Sequence, residues 1–435
     1  MKRLADLKSR LLPAFTHAAP SFWGMAEYFA YPFMMFIATP FFLQQLGKEQ
    51  YGQWMLMLAF TGFGGIAGLG MGMAAIKEVS AYRGRGDMSG AILAVRACFG
   101  IALASSLALA VVILALVWLL DTSWLVRAGT PSEVRRIIYF AVALVTVEQI
   151  DTVFAGAIRG MERFDVAAKI EMAAKLVIVV VSAFVAWLTR DLLWVITVVL
   201  AITLLRAVSK AVSAALLMQA RTLSPTWRRK YVAEAIRFGK WTWLQSMGSA
   251  LFSTADRLLV GAFLGSGALA QYSVCLQLAQ QVHAVPAAGA GFIFPLVSRR
   301  IEAGTNVRRL ALGATVLFGI FAAVLALPLI FFGHAILSLW IGGGFADQNA
   351  DLLALLAGAF VLLALNIGPH FFLLGSNASH YVAFSNILAG AISVLSGYFL
   401  VSQLGVTGGV FMRIVYGFVL MSGITAMMSV LRKAT

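Results

Sequence analysis

The sequence has little charge for its length. Of its 435 residues, 12% are charged and 61% are hydrophobic, and the mean hydropathy is +0.90. Soluble globular domains carry roughly 25% charged residues, and so few charged side chains cannot cover the surface of the soluble domains that this length would form. The composition therefore excludes a soluble protein and predicts a polytopic membrane protein.

Cysteine is also scarce, and nucleotide-binding motifs are missing. The two cysteines, Cys98 and Cys275, each lie inside an apolar run, which excludes a disulfide framework and a cysteine-rich metal site. The sequence contains no G-x-x-x-x-G-K-[ST] motif, so it has no P-loop for ATP hydrolysis. We expect no cofactor, no metal ion and no catalytic residues.

Long apolar runs make up most of the chain. About 20 apolar residues are needed to cross a bilayer as a helix, and we predict twelve such spans, at residues 21–45, 51–76, 91–120, 137–158, 166–189, 192–219, 241–264, 270–297, 310–332, 351–374, 381–401 and 407–431. The divisions at Gly47–Gln50, Arg190–Asp191 and Gly265–Ala268 rest on short polar or glycine-rich turns. In the second span, the run from Gly62 to Gly72 predicts close helix packing or a bend.

Acidic residues are few, 18 against 33 Lys and Arg, which gives a net charge of +15. With both termini placed in the cytoplasm, 21 of the basic residues fall on the cytoplasmic side and five on the far side. This distribution is the positive-inside pattern of membrane proteins. The surplus of positive charge therefore indicates orientation, and we expect no nucleic-acid partner.

The two halves of the chain resemble each other. Phe41–Gly52 reads FFLQQLGKEQYG, and the segment from Phe263 reads FLGSGALAQYS. In both, a span ends at a glycine-containing turn and a tyrosine follows. Six spans per half give both halves the same orientation, as in transporters with parallel repeats. We predict an all-α fold of about twelve transmembrane helices in two pseudo-symmetric six-helix lobes around a central cavity. Its parts are an interfacial segment (1–20), an N-lobe (21–219), a basic linker (220–240) and a C-lobe (241–435).

Charged residues within the spans are the candidate functional residues, because each costs about 2.5–3.5 kcal/mol at mid-bilayer. Five are acidic and five are basic, namely Glu27, Glu148, Asp151, Glu171, Asp256, Lys175, Arg206, Lys210, Arg257 and Arg413. They could pair with each other, contact an anionic substrate or couple transport to an ion. Glu171 and Lys175 can pair along one helix, and span four carries acids that match the bases of span six. His283 is a packing residue or a proton relay.

Four stretches resemble one family of membrane proteins, the Wzx-type flippases of polysaccharide repeat units in the multidrug/oligosaccharidyl-lipid/polysaccharide exporter superfamily. The similar stretches are Pro40–Asp87, Gly156–Leu176, Ala255–Val274 and Leu404–Gly409. The resemblance implies two six-helix lobes around a central cavity. It also implies movement of a polyprenyl-pyrophosphate-linked oligosaccharide to the outer leaflet of the bacterial inner membrane.

The resemblance also implies which residues and partners take part. Asp256-Arg257 matches the family's pattern in span seven, so Arg257 is the first candidate for the anionic headgroup, followed by Lys175, Arg206, Lys210 and Arg413. The implied partners are membrane lipids, a glycan polymerase and a chain-length regulator.

Two alternative functions are also compatible with the sequence. A drug or cation antiporter of the same superfamily would use a carboxylate-centred site, for which Glu27, Glu148 and Asp151 are available. A membrane-embedded glycan polymerase or ligase would need a large outer catalytic loop, whereas the longest predicted outer loops, Asp121–Arg136 and Gly333–Ala350, are short.

Overall fold

The computed structural model describes residues 2–62, 64–119, 130–290, 293–302, 307–376 and 378–433, and these ranges contain helices and no strand. This confirms the predicted all-α fold class. The helices are α1 (Lys2–Gly62), α2 (Gly64–Ala67), α3 (Met71–Gly84), α4 (Met88–Leu119), α5 (Pro131–Gly160), α6 (Phe164–Thr189), α7 (Leu192–Met218), α8 (Arg229–Leu264), α9 (Ser266–Ala279), α10 (Gln281–Gly289), α11 (Ile293–Glu302), α12 (Arg308–Phe331), α13 (Gly333–Trp340), α14 (Gly343–Ala364), α15 (Ile367–Gly375), α16 (Ser379–Leu404), α17 (Val406–Leu420) and α18 (Ser422–Lys433).

Eight helical stretches in the described ranges are long and apolar enough to cross a membrane. They are Met88–Leu119, Ser132–Gly160, Phe164–Thr189, Leu192–Met218, Arg308–Phe331, Gly343–Gly375, His380–Leu404 and Val406–Arg432. Each coincides with one of the predicted spans. The other four predicted spans fall on α1, on the end of α1 together with α2 and the start of α3, on α8, and on α9 to α11.

The three short turns that divide predicted spans are present. Gly47 interrupts α1 with φ 75° and ψ 170°. Arg190 ends α6 in the left-handed conformation, and the Asp191 side chain caps α7 by accepting a hydrogen bond from the Leu193 N–H at 2.9 Å. Gly265 separates α8 from α9 with φ 91° and ψ 176°. Both glycines occupy a backbone region that other residues adopt only with strain.

The chain divides into two compact units. Unit 1 comprises Met1–Gln45, Gly64–Leu119 and Tyr139–Trp243, and unit 2 comprises Leu46–Phe63, Leu120–Ile138 and Leu244–Thr435. The core of unit 1 brings together buried side chains of α3, α4 and α5, among them Met71, Val95 and Ile158. In unit 2, α14 packs against α9, α10, α12, α13 and α17.

The glycine-rich segment of the second predicted span both bends and packs closely. The helix stops after Ala67 and resumes at Met71, with Gly70 at φ 72°. A Cβ atom at Gly68 would overlap the Gln149 side chain, and one at Gly156 would overlap the Gly72 carbonyl oxygen. Because the glycines allow α3 and α5 to approach at backbone distance, the segment serves as a packing surface as well as a bend.

Within unit 2, the two repeat-related turns touch. The Ser266 hydroxyl, which begins α9, donates a hydrogen bond to the Glu49 carboxylate in the turn after Gly47. Gly52 lies so close that a Cβ atom there would overlap the Ser266 carbonyl oxygen. Tyr51 and Tyr272, the tyrosines that follow the two turns, are fully buried. The turns therefore share their backbone geometry and are packed against each other.

Large apolar side chains cover the outer faces of several spans. They include Val180, Phe184 and Leu188 on α6, Leu205 and Leu216 on α7, Leu317 and Ile320 on α12, and Phe384, Leu395 and Phe399 on α16. Contiguous apolar surface of this extent is rare on soluble proteins. These faces are suited to contact with lipid.

Candidate substrate-binding site

In unit 1, five charged side chains from three helices form one network, here called the ion-pair cluster: Asp151 on α5, Glu171 and Lys175 on α6, and Arg206 and Lys210 on α7. The Lys210 Nζ atom lies 2.7 Å from Asp151 Oδ2 and 2.6 Å from Glu171 Oε2. Arg206 reaches the same two carboxylates, at 3.3 Å and 3.0 Å. Of the two span-four acids predicted to match the bases of span six, Asp151 pairs with both bases and Glu148 with neither among the described residues; the Glu171–Lys175 pair within span five is present.

Burial explains why these charges are held together. The Lys210 side chain is 3% exposed and that of Asp151 is 5% exposed. Removing a charge from water costs several kcal/mol unless it is paired and hydrogen-bonded, and here each carboxylate is met by two or more cations. Lys210 and Arg206 are therefore committed to structural ion pairs, whereas Lys175, at 3.2 Å from Glu171, is more exposed.

Glu148 lies one helical turn before Asp151 on α5. It takes part in none of the ion pairs or hydrogen bonds formed by the described residues, and it is half-buried. The ion-pair cluster contains three cations and two carboxylates, so an ionised Glu148 makes the local charge neutral. Glu148 is thus a carboxyl group without a committed partner beside a positively charged cluster.

A second charged network lies in unit 2 and joins α8, α9 and α17. Arg413 Nε on α17 lies 2.7 Å from Asp256 Oδ2 on α8 and 3.3 Å from the Tyr272 hydroxyl on α9. Tyr272 donates its own hydrogen bond to the Asp256 carboxylate. The Arg413 guanidinium also stacks over the Phe360 ring, 5.1 Å from its centroid. All three polar side chains are buried, and Arg413 and Tyr272 both bind the same oxygen of Asp256, Oδ2.

Arg257 differs from the other four basic candidates. It follows Asp256 on α8, but it joins none of the ion pairs made by the described residues, and its Nε atom is buried without a hydrogen-bond partner. The second carboxylate oxygen of Asp256 is likewise buried without a partner. Because buried polar groups are almost always satisfied, each of these two atoms is a candidate for a hydrogen bond to water or to a ligand.

A cavity of about 280 Å³ opens in unit 2 among α10, α14, α15, α16 and α17. Its polar lining consists of His283, Asn366, His370, Asn386 and Tyr416. The Tyr416 hydroxyl donates to Asn386 Oδ1 at 3.0 Å. Phe371 and four aliphatic side chains complete the wall. His283, which the sequence predicts to be a packing residue or a proton relay, lies in this cavity.

The structure thus sorts the sequence candidates into three places. Lys175, Arg206, Lys210, Asp151 and Glu171 lie in the ion-pair cluster with Glu148 beside it, Asp256, Arg413 and Arg257 lie at the α8–α17 contact, and His283 lines the cavity. Glu27 falls on α1, and its side chain lies outside the described residues. Sequence reasoning missed Tyr272 and the neutral polar residues of the cavity. A search for asparagine and histidine within spans, rather than for charge alone, would have found His370 and Asn386.

The chain is similar to known proteins in sequence and in fold. The profile of the polysaccharide biosynthesis protein family matches residues 21–301, about two thirds of the chain. No curated protein sequence matches the chain.

Solved structures of multidrug resistance MATE family transporters of the MOP superfamily are similar in fold. The inward-facing conformation of one has a TM-score of 0.71 with 16% identity, over 93% of this chain and 95% of that chain. The outward-facing conformation has a TM-score of 0.61 with 15% identity, over 96% and 94%. The family match over residues 21–301 shows that the chain belongs to the polysaccharide biosynthesis protein family.

Proposed function

We propose that this protein is a flippase that moves polyprenyl-pyrophosphate-linked oligosaccharide repeat units from the inner to the outer leaflet of the bacterial cytoplasmic membrane by alternating access. The family match suggests a lipid-linked glycan as the substrate class. Such a substrate has an anionic pyrophosphate, a hydrated glycan and a long lipid tail. Each of the three parts needs a different environment on the way across.

The observation that carries the proposal is the state of Arg257. Of the five basic candidates, the other four are each bound to at least one carboxylate. Arg257 is the one among them that forms no ion pair with another described residue. A guanidinium can bind the oxygens of a pyrophosphate in a bidentate manner, so Arg257 is the group that binds the headgroup.

The remaining charges keep the interior close to neutral. Lys210 and Arg206 are neutralised by Asp151 and Glu171, and Arg413 by Asp256. Moving a pyrophosphate into hydrocarbon costs a large amount of free energy. One arginine that forms no ion pair with the described residues can attract the pyrophosphate, whereas several such cations would bind it too tightly for release. The lipid tail can remain in the bilayer beside the apolar helix faces.

Orientation follows from the basic residues. The positive-inside distribution places both termini in the cytoplasm, which is the side on which lipid-linked repeat units are loaded. Release into the outer leaflet would deliver them to a glycan polymerase and a chain-length regulator.

The test is the Arg257→Ala variant in the organism that encodes the protein. We expect lipid-linked repeat units to accumulate in the inner leaflet, where a membrane-impermeant glycosidase added from outside cannot reach them, while the protein remains inserted at wild-type level. Arg309→Ala, a change at an exposed arginine on α12, is the matched control and should export normally. Normal surface polysaccharide in Arg257→Ala would remove Arg257 from the substrate path.

One observation favours a second candidate, a cation-coupled multidrug antiporter. Glu148 is a carboxyl group without a committed partner in unit 1, and such a group within a membrane marks an ion pathway in many transporters. Proteoliposomes decide between the candidates. Cation-driven efflux of small amphiphilic cations that is lost in Glu148→Gln, with no movement of lipid-linked oligosaccharide, would establish the antiporter and exclude the flippase.

A further inference from the structure

The cavity in unit 2 has a lining that hydrogen-bonds without charge. Its five polar side chains are two imidazoles, two carboxamides and a phenol, at His283, His370, Asn366, Asn386 and Tyr416. No carboxylate, ammonium or guanidinium group lines it among the described residues. The lining therefore excludes a strongly bound cation or anion, and its polarity is unsuited to a lipid tail.

Three of these side chains have hydrogen-bonding capacity to spare. His283, His370 and Asn366 take part in none of the side-chain hydrogen bonds formed by the described residues. Interior polar groups that lack protein partners are satisfied by water or by a ligand. A cavity of about 280 Å³ is large enough for several water molecules or for one compact polar ring.

The arrangement of donors and acceptors points to a polyhydroxyl ligand. Carboxamides and imidazoles each offer a donor and an acceptor in one plane, and a sugar hydroxyl can serve as both. Phe371 and Leu363 add an apolar wall against which the C–H face of a pyranose ring can pack. Binding sites with a mostly apolar wall and a few converging polar groups are typical for small molecules.

The position of the cavity matches the chemistry of the substrate. Tyr416 lies three residues after Arg413 on α17, about one helical turn, and Arg413 is bound to Asp256, which precedes Arg257. In a lipid-linked oligosaccharide the first sugar is attached directly to the pyrophosphate. A headgroup bound at Arg257 would therefore carry its sugars close to the α17 helix.

We propose that this cavity is a sugar subsite, which binds one uncharged pyranose ring of the oligosaccharide through His283, Asn366 and His370. This inference rests on the proposed flippase function and extends it, because it separates recognition of the glycan from recognition of the pyrophosphate. The polyprenyl-pyrophosphate part is bound through Arg257, and the glycan part through neutral hydrogen bonds in unit 2.

The test compares two lipids with the purified full-length protein in lipid nanodiscs. One is the lipid-linked oligosaccharide extracted from cells that lack the gene, and the other is polyprenyl pyrophosphate without sugar. We expect His370→Leu and Asn366→Leu each to weaken binding of the glycosylated lipid about tenfold, which corresponds to one or two lost hydrogen bonds. Both variants should bind the sugar-free lipid as wild type does.

Control variants distinguish a failure of the sugar subsite from a failure of the proposed flippase function. Phe384→Ala, at an exposed position on α16 close to Asn386, should bind both lipids normally, and Arg257→Gln should weaken both. If the cavity variants weaken both lipids equally, or neither, the sugar subsite is wrong while the flippase proposal stands. If wild-type protein binds neither lipid, the flippase proposal itself fails.

Discussion

Asp256 is bound to Arg413, which lies 157 residues away along the chain, and not to Arg257, its neighbour in the sequence. The distance from Asp256 Oδ2 to Arg413 Nε is 2.7 Å. One ion pair thus holds α8 against α17. Among the described residues Arg257 forms no ion pair, although it follows Asp256 directly in the sequence.

The Asp256–Arg413 pair should contribute strongly to stability. Breaking a buried pair by removing one partner costs about 3–5 kcal/mol, because the other charge is left buried and alone. We expect Arg413→Leu to lose this amount of unfolding free energy in detergent, and the Asp256→Asn/Arg413→Leu double variant to recover part of it. Equal losses in the single and double variants would show that the charge pair itself contributes nothing.

Within the ion-pair cluster, replacing Lys210 should destabilise the protein more than replacing Lys175. Lys210 is bound to two carboxylates and its side chain is 3% exposed, whereas that of Lys175 is 21% exposed. Lys210→Met should cost about 3–5 kcal/mol and Lys175→Met about 1 kcal/mol or less. Urea unfolding of both variants measures this, and comparable costs would contradict the assignment of Lys210 as the centre of the cluster.

The positive φ angle of Gly47 predicts a cost for any side chain there. A Cβ atom at Gly47 would meet nothing within 4 Å, so Gly47→Ala isolates backbone strain, which we expect to cost about 1–3 kcal/mol. Gly358→Ala, on the exposed side of α14 with equally open surroundings, should instead stabilise the helix by about 0.5–1 kcal/mol. Thermal unfolding compares the two, and a neutral Gly47→Ala would show that the turn relaxes.

Outside the predicted spans, Tyr82 links α3 to α8. Its hydroxyl donates to Glu234 Oε2 at 2.7 Å, and burial together with this carboxylate raises the pKa of Tyr82. Tyr82→Phe should lose about 1–2 kcal/mol of stability. Since the folded-state pKa is raised, the difference from wild type should be fully present below about pH 10, the unfolded value, and decline as the pH rises towards the folded pKa. Tyr231→Phe on α8 is the control, and a difference that grows above pH 10 would contradict this sign.

The sequence predicted the parts of the structure that depend on local spacing. Long apolar runs predicted the spans, glycines predicted the turns at Gly47 and Gly265, and the i,i+4 spacing predicted the Glu171–Lys175 pair. The match between span four and span six followed from like charges on one helix face, which need opposite charges nearby.

The partners of Asp256 could not be predicted in the same way. Arg257 and Arg413 were both available in sequence, and only the packing of α17 against α8 decides between them. The cavity was not predicted because the search was limited to charged residues within spans and His283, whereas its other polar lining residues, such as His370 and Asn386, are uncharged.

The turns at Gly47 and Gly265 have similar backbone geometry and contact each other. Gly47 and Gly265 have backbone angles that agree within about 20°, and they stand at corresponding points of the two halves. The hydrogen bond between Ser266 and Glu49 holds the two turns against each other. A substitution that displaces the backbone at either glycine would therefore disturb the packing of both turns.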